Sequence, residues 1–235
     1  MIIDTDTEEL LRAAVRNNAE WCAAVSGGGT FAADAWTSAR RTPPYYPDGV
    51  TLTRSAPADA LLAGMDTASP GCSVKDSYAA LDLAPAGFEV LFGAEWIHRP
   101  AQAPAPAASA LAWTRVADAR ELAAWEAAWG GGEGTGLFHP GLLTPEIAFL
   151  AGRSADGRVL AGAAANRTGA VVGLSNVFTA EGTPDDEAWA GALTAVAELW
   201  PGHPVVGYES GEDLDTALRH GFAPLGPLRV WLHTA

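Results

Sequence analysis

The stretch VVGYESGEDLDTALRHGFAPLGPLRVWLH, residues 205–233, decides the fold. It opens as a short apolar strand, continues as an amphipathic helix that ends at Gly221, and closes in an apolar run ending Trp-Leu-His. A shorter counterpart, SVKDSYAALDLAPAGFEVLFGAEWIH, spans 73–98 and carries the same Gly-Phe pair before a run ending Trp-Ile-His. The sequence therefore predicts two related strand-helix-strand units, 72–99 and 205–233, with Trp96 and Trp231 in matching places.

A Pro- and Ala-rich segment divides the chain. Residues 100–106 read PAQAPAP, a composition typical of an extended connector. Before it, the pattern predicts a helix over 8–25, a short strand over 50–53, a strand ending near Val74, a helix to about Ala84 and a strand over 88–97. We therefore predict a smaller half over 1–100, a linker over 101–108 and a fuller domain over 109–235.

The second half has a regular order of elements. A strand is predicted over 111–116 and a helix over 118–129, followed by three strands over 147–153, 158–166 and 170–179 that are separated by turn residues. A helix over 184–200, a strand over 204–208, a helix over 211–220 and strands between 222 and 232 complete the chain.

This order resembles the GCN5-related N-acetyltransferase (GNAT) superfamily across 109–235. The most specific match is the close Arg219-His220-Gly221-Phe222 after a strand and a helix. The resemblance implies an α+β fold, a mixed and mainly antiparallel sheet flanked by helices, in which the fourth and fifth strands splay apart. Because 72–99 repeat the same close, a smaller, truncated GNAT-like half is expected to precede this domain.

Charge and composition narrow the partners. Fourteen basic and twenty-eight acidic residues give a net charge of −14, which repels nucleic acid and anionic membrane surfaces and favours cationic or neutral ligands. The acidic opening and the lack of a long apolar run predict a cytoplasmic protein. The two cysteines and five histidines have no ligand-like spacing, so no metal site is predicted.

The resemblance implies acetyl-CoA as the cofactor, but the loop that would bind it is unusual. In the superfamily, a loop Arg/Gln-x-x-Gly-x-Gly/Ala after the fourth strand holds the pyrophosphate at a helix N-terminus. Here the loop is EGTPDDE, residues 181–187, so Pro184 replaces the Arg or Gln and Asp185, Asp186 and Glu187 are expected to face the pyrophosphate. Each charge opposes binding by about 1 kcal/mol or more.

A structural interpretation of the same loop is also open. Thr183 is a suitable N-cap, Pro184 suits the first helical position, and Asp186 could complete a capping box with Thr183. Carboxylates in a first turn also complement the helix dipole. On this interpretation the loop only begins a helix.

The resemblance further implies positions for chemistry. The Tyr that serves many relatives as general acid is Ala217 here and Leu83 in the first half, which leaves Tyr208 as the nearest phenol. Glu209 beside it could act as general base for an amine if burial raised its pKa, or could be a solvated acid before the next helix. The main chain of Val177, Phe178 and Thr179 is expected to hold the pantetheine amide.

Two main functions remain open from the sequence, beside a third in which the Pro-rich aromatic loop binds a small amine or peptide without turnover. One is an acyltransferase that moves an acetyl group from acetyl-CoA to a small amine or peptide. The other is a non-catalytic binding or interaction protein on the same scaffold, since a fold does not fix a function. Lys75, the one lysine of the chain, could meet a carboxylate or be an ordinary surface residue.

Overall fold

The computed structural model describes residues 5–68 and 70–234. The helices are α1 (Thr5–Val25), α2 (Ala58–Ala63), α3 (Ala119–Trp129), α4 (Asp185–Leu199) and α5 (Gly211–Arg219), with 3-10 turns at Ala84–Ala86 and Pro140–Leu142. The strands are β1 (Thr30–Phe31), β2 (Ala35–Thr37), β3 (Gly49–Thr51), β4 (Ser73–Asp76), β5 (Phe88–Arg99), β6 (Ala112–Arg115), β7 (Ile147–Arg153), β8 (Val159–Thr168), β9 (Val171–Thr179), β10 (Val205–Glu209) and β11 (Ala223–His233). No described helix is both long and apolar enough to cross a membrane.

The chain forms two compact units whose boundaries differ from the predicted ones. The first takes the described residues up to Trp96 and those from Pro224 onward, and the second is Ile97–Ala223. The last strand, β11, thus belongs to the first unit, whereas the sequence placed it in the second domain.

In the first unit the strands follow the order β1-β2-β3-β4-β11-β5. The β3–β4 pair is parallel, while β11 runs antiparallel to β4 with Trp231 opposite Val74. A buried cluster that includes Leu61, Leu83 and Phe88 packs beside this pair. Whether this unit is a truncated GNAT-like half remains a prediction.

The predicted helix before Ala84 is absent from the structure. After β4 the chain turns, because the Asp76 carboxylate accepts hydrogen bonds from the main-chain N–H groups of Leu81 (2.8 Å) and Tyr78 (3.4 Å). Ala79 adopts a left-handed φ of 49°, which an α-helix excludes. A side chain that captures local N–H groups competes with the helix, and here it prevails.

The end of the chain also differs from the prediction. Two strands were expected between 222 and 232, but β11 is continuous from Ala223 to His233. The two aligned glycines do share a conformation, since Gly87 and Gly221 have φ values of 81° and 86° and each precedes a long strand. The likeness is limited to the Gly-Phe pair and the strand after it, since the α-helix is present only in the second segment, and an internal repeat stays a prediction.

The second unit has the strand order β10-β9-β8-β7-β6. Its β6–β7, β7–β8 and β8–β9 pairs are antiparallel and β9–β10 is parallel, which confirms a mixed and mainly antiparallel arrangement. α4 and α5 contribute Trp189, Leu193 and Ala217 to one core cluster. Trp125 of α3 is fully buried and donates from Nε1 to the Leu150 carbonyl at 2.8 Å.

We expect the Asp76 loop to depend on its carboxylate. Replacing Asp76 by Ala leaves two main-chain N–H groups of a buried turn without their acceptor, so the free energy of unfolding should fall by about 1–3 kcal/mol in a urea titration. Glu89→Ala, at an exposed residue shortly after this loop, is the control and should change it by less than about 0.5 kcal/mol. Equal effects of the two substitutions would contradict this role of Asp76.

Candidate functional site

A cleft opens in the second unit where β9 and β10 separate. The two strands pair only at Val172–Val205 and Gly173–Val206, so the predicted splay of these strands is confirmed. The β9/β10 cleft is lined by Val177, Phe178, Asp185, Ala188, Trp189, Glu209 and Asp213. Its volume is about 40 Å³.

A bulge in β9 bends the strand beside the cleft. Between the pairs Gly162–Phe178 and Ala164–Ser175, β9 contains one residue more than β8. The extra residue is accommodated because Asn176 adopts a left-handed φ of 51°, a conformation that Asn tolerates better than most residues. Beyond the bulge, Phe178 packs edge-on against Trp125 with ring centroids 5.2 Å apart.

The main chain of β9 is open on the side of the cleft. Ala180 N–H donates to the Leu160 carbonyl, so the next pair inward, Thr179 and Ala161, is one that does not exchange hydrogen bonds. The N–H and C=O of Thr179 therefore point away from β8, towards the edge that β10 has left. This is the edge on which the sequence placed a pantetheine amide.

Glu209 brings an unusual carboxyl group into the cleft. It ends β10, is half-buried, and has a pKa raised to about 8, mainly by desolvation and then by the negative charge of Asp213. Burial also raises the pKa of Asp213, and Asp185 adds to that shift. Glu209 is therefore less solvated than an exposed acid at this position would be.

Not every predicted site residue lines the cleft. Val177, Phe178 and Glu209 do, and Thr179 borders it through the hydrogen bond from its Oγ1 to Asp185 Oδ1 (2.8 Å). Tyr208 is not among the lining residues, because neighbouring residues of a strand point to opposite faces. The sequence analysis did not include Trp189 and Asp213 among the site residues. Trp189 could have been found, because Asp185 and Trp189 are four residues apart and so lie on one face of the helix.

The start of α4 differs from the predicted cap. Pro184, not Thr183, is the N-cap residue, and it makes no side-chain cap hydrogen bond. Asp186 does not form a capping box with Thr183, because its carboxylate accepts from His220 Nε2 at 2.8 Å and lies 3.6 Å from Arg219. In the described part of the chain, the first N–H groups of α4 thus have no side-chain acceptor.

The three acidic residues of this turn point in different directions. Glu187 accepts from Ser109 Oγ (2.7 Å) and Ala110 N–H (2.8 Å), and Asp186 binds the end of α5. Only Asp185 lines the cleft. The prediction that all three carboxylates face the pyrophosphate position is therefore wrong for two of them, and the expected electrostatic repulsion is reduced.

Two further predictions concern side chains outside the cleft. The described residues contain no group of three or more His, Cys, Asp or Glu placed to hold a metal ion. Lys75 is not a surface residue: it is 3% exposed, and its Nζ donates to Asn18 Oδ1 at 2.7 Å in the first unit.

Comparison with solved structures identifies the same fold in other proteins. A GCN5-related N-acetyltransferase from Kribbella flavida aligns over 94% of this chain and 96% of its own, with a TM-score of 0.68 and 15% identity. A GNAT-family protein from Novosphingobium aromaticivorans covers 94% and 99% at TM-score 0.59 and 15% identity. A GCN5-related N-acetyltransferase-like protein from Streptococcus suis covers 97% and 100% at TM-score 0.55 and 14% identity.

No protein-family model matches the sequence, and no curated protein matches it. At such low identity the structural matches establish the fold, which is GNAT-like over most of the chain.

The raised pKa of Glu209 predicts a pH-dependent stability. Its folded-state pKa of about 8 exceeds the unfolded value of about 4.3, so its contribution to the free energy of unfolding is present below pH 4 and is lost as the pH rises towards 8. Glu209→Gln removes this dependence. As the pH rises from 4 to 9, the free energy of unfolding of the variant should therefore increase by about 2–4 kcal/mol relative to that of the parent.

Urea titrations across that pH range measure the difference between variant and parent. Glu212→Gln, at an exposed position of α5, is the control, and its free energy of unfolding should differ from that of the parent by the same amount at every pH. A flat difference for Glu209→Gln as well would mean that the carboxyl is ionised at neutral pH.

Proposed function

We propose that the protein is an acetyltransferase that moves an acetyl group from acetyl-CoA to an amine by direct attack. The observation that carries this proposal is the Glu209 carboxyl, which ends β10 inside the β9/β10 cleft with a pKa of about 8. A general base is most effective when its pKa is near the working pH. Burial gives Glu209 this property, which an exposed carboxylate lacks.

The residues around the cleft offer donors that suit coenzyme A. The first N–H groups of α4 could hold its pyrophosphate, and the open main-chain edge at Thr179 could hold its pantetheine amide. When bound, the cofactor supplies an acetyl thioester that an amine can attack. Asp185 is the carboxylate that lines the cleft at this helix start and opposes the anion.

Glu209 would act on the acceptor. Aliphatic amines are protonated at neutral pH, since their pKa values lie near 10, and a protonated amine has no lone pair with which to attack. The Glu209 carboxylate would take the proton, while the negative charges of Asp213 and Asp185 attract a cationic acceptor. Tyr208 remains the proposed donor of a proton to the leaving thiolate of coenzyme A, although it is not among the cleft-lining residues.

A second function is favoured by the size of the cleft. About 40 Å³ holds one or two water molecules, whereas small-molecule sites usually span about 300–1,000 Å³. Trp189, which is 3% exposed and stacks on the His220 ring, occupies the wall where a wider cleft would extend. A protein whose cleft stays closed would be a non-catalytic binding protein on the same scaffold.

Binding of acetyl-CoA separates the two functions. A ligand at a hundred times its dissociation constant adds about 2.7 kcal/mol, which corresponds to about 5–10 °C in the melting temperature of a chain of this size. We expect the melting temperature to rise saturably with acetyl-CoA. The rise should be larger at the same ligand concentration for Asp185→Asn, which removes a negative charge that repels the pyrophosphate. Asp215→Asn, an exposed residue of α5, is the control. A rise with neither the parent nor Asp185→Asn would support the non-catalytic function.

Turnover tests Glu209 directly. Release of free thiol from acetyl-CoA in the presence of spermidine, tyramine or a lysine peptide reports transfer to three classes of amine. Glu209→Gln should lower kcat by about 10²–10⁴-fold and leave the acetyl-CoA thermal shift in place, while Glu212→Gln should leave both unchanged. Full activity of Glu209→Gln would exclude Glu209 as the base.

A further inference from the structure

A second and larger cavity lies in the same unit as the cleft. It is bounded by the linker segment 104–108, by Asp186, Glu187 and Ala190 of α4, and by the end of α5 together with Arg99. We call it the linker cavity. Its volume is about 510 Å³, within the range of sites that hold small molecules. It shares no lining residue with the β9/β10 cleft.

Arg99 is the group that points to a ligand. It is half-buried, and its guanidinium donates to main-chain carbonyls, from Nε to His220 O at 2.9 Å and from a terminal nitrogen to Pro104 O. Among the described residues no carboxylate pairs with it. Burial lowers the pKa of Arg99, as expected for a cation removed from water without a counter-charge. An anion in the cavity would supply that charge.

The two acidic residues of the cavity do not fill this role. Asp186 binds His220 and Arg219, and Glu187 binds Ser109 and Ala110. Arg219 has one terminal nitrogen on Thr216 Oγ1 at 3.1 Å and lies 3.6 Å from Asp186, so its remaining N–H groups can still donate. Two guanidinium groups thus border the cavity, and each has N–H groups that can still donate hydrogen bonds to a ligand.

The balance of charge selects the kind of anion. Arg219 lies beside Asp186 whereas Arg99 has no carboxylate partner in the described part of the chain, so a single negative charge balances Arg99, while a doubly charged phosphate would bring an excess negative charge close to Asp186 and Glu187. A carboxylate also fits the planar fork of an arginine. Apart from His220 and Gly221 at the end of α5, the remaining wall consists of Pro and Ala residues, which suit an apolar body.

We propose that the linker cavity binds a small monocarboxylate with an apolar body, its carboxylate on Arg99 and Arg219 and its body against the Pro and Ala side chains of 104–108. This site is separate from the proposed acetyl transfer. It assigns a role to the linker, which the sequence predicts only as a connector.

Benzoate is a suitable probe, with benzyl alcohol as its uncharged counterpart. We expect a saturable benzoate signal in isothermal titration or in ligand-observed NMR, and none at equal concentration of benzyl alcohol. Arg219→Gln should weaken benzoate at least tenfold, and Ala107→Phe, which fills the mouth of the cavity from an exposed position, should do the same. Arg158→Gln, at an exposed arginine of the β7–β8 turn, is the matched control.

Each outcome decides the proposal. No saturable signal with the intact protein overturns it, and so does equal binding of benzyl alcohol, which would make the cavity a general apolar site. An equal loss in Arg158→Gln would show non-specific attraction by surface charge and would also overturn it. The acetyl-CoA thermal shift of the unsubstituted protein tests the proposed acetyl transfer separately, because it is measured without benzoate.

Discussion

The parallel contact between β9 and β10 ends after Gly173 and Val206, and the candidate site depends on this short pairing. Gly207 lets the strands approach to that point, since a Cβ there would lie 2.9 Å from the Leu174 carbonyl oxygen. The bulge at Asn176 then bends β9 while β10 continues to Glu209. Without the separation, the Thr179 main chain would be paired and Glu209 would not reach a cleft.

The cleft and the helix start impose opposite demands on a ligand. Uncapped N–H groups and the open edge of β9 favour an anionic, amide-bearing cofactor, whereas Asp185, Glu209 and Asp213 favour a cation. An acyltransferase requires both preferences, one for each substrate, within a few ångströms. The small volume means that widening of the cleft would have to accompany binding of a cofactor.

Hydrophobic periodicity in the sequence predicted most helices and strands, because the apolar residues that repeat with a helix or strand period are the ones that pack into the core. It failed where one side chain binds nearby main-chain N–H groups, as Asp76 does. It also failed at the start of α4, where the acidic side chains bind residues far away in the sequence. Asp186 and Glu187 bind His220 and Ser109, which are 34 and 78 residues away, and no local pattern contains such pairings. The site residues followed the same division: Glu209 could be found at a strand end, while the raised pKa that makes it useful arises from tertiary burial.

The first turn of α4 sends three successive carboxylates to three destinations: the cleft, the end of α5 and the residues before β6. Each helical residue turns the side chain by about 100°. The buried side chains of Trp189, Leu193 and Val196 fix the rotation of α4 about its own axis, so the order of the three acidic residues decides which charge faces the cleft. Exchanging Asp185 for a neutral residue would therefore change the charge at the cleft and leave the contacts of Asp186 and Glu187 in place.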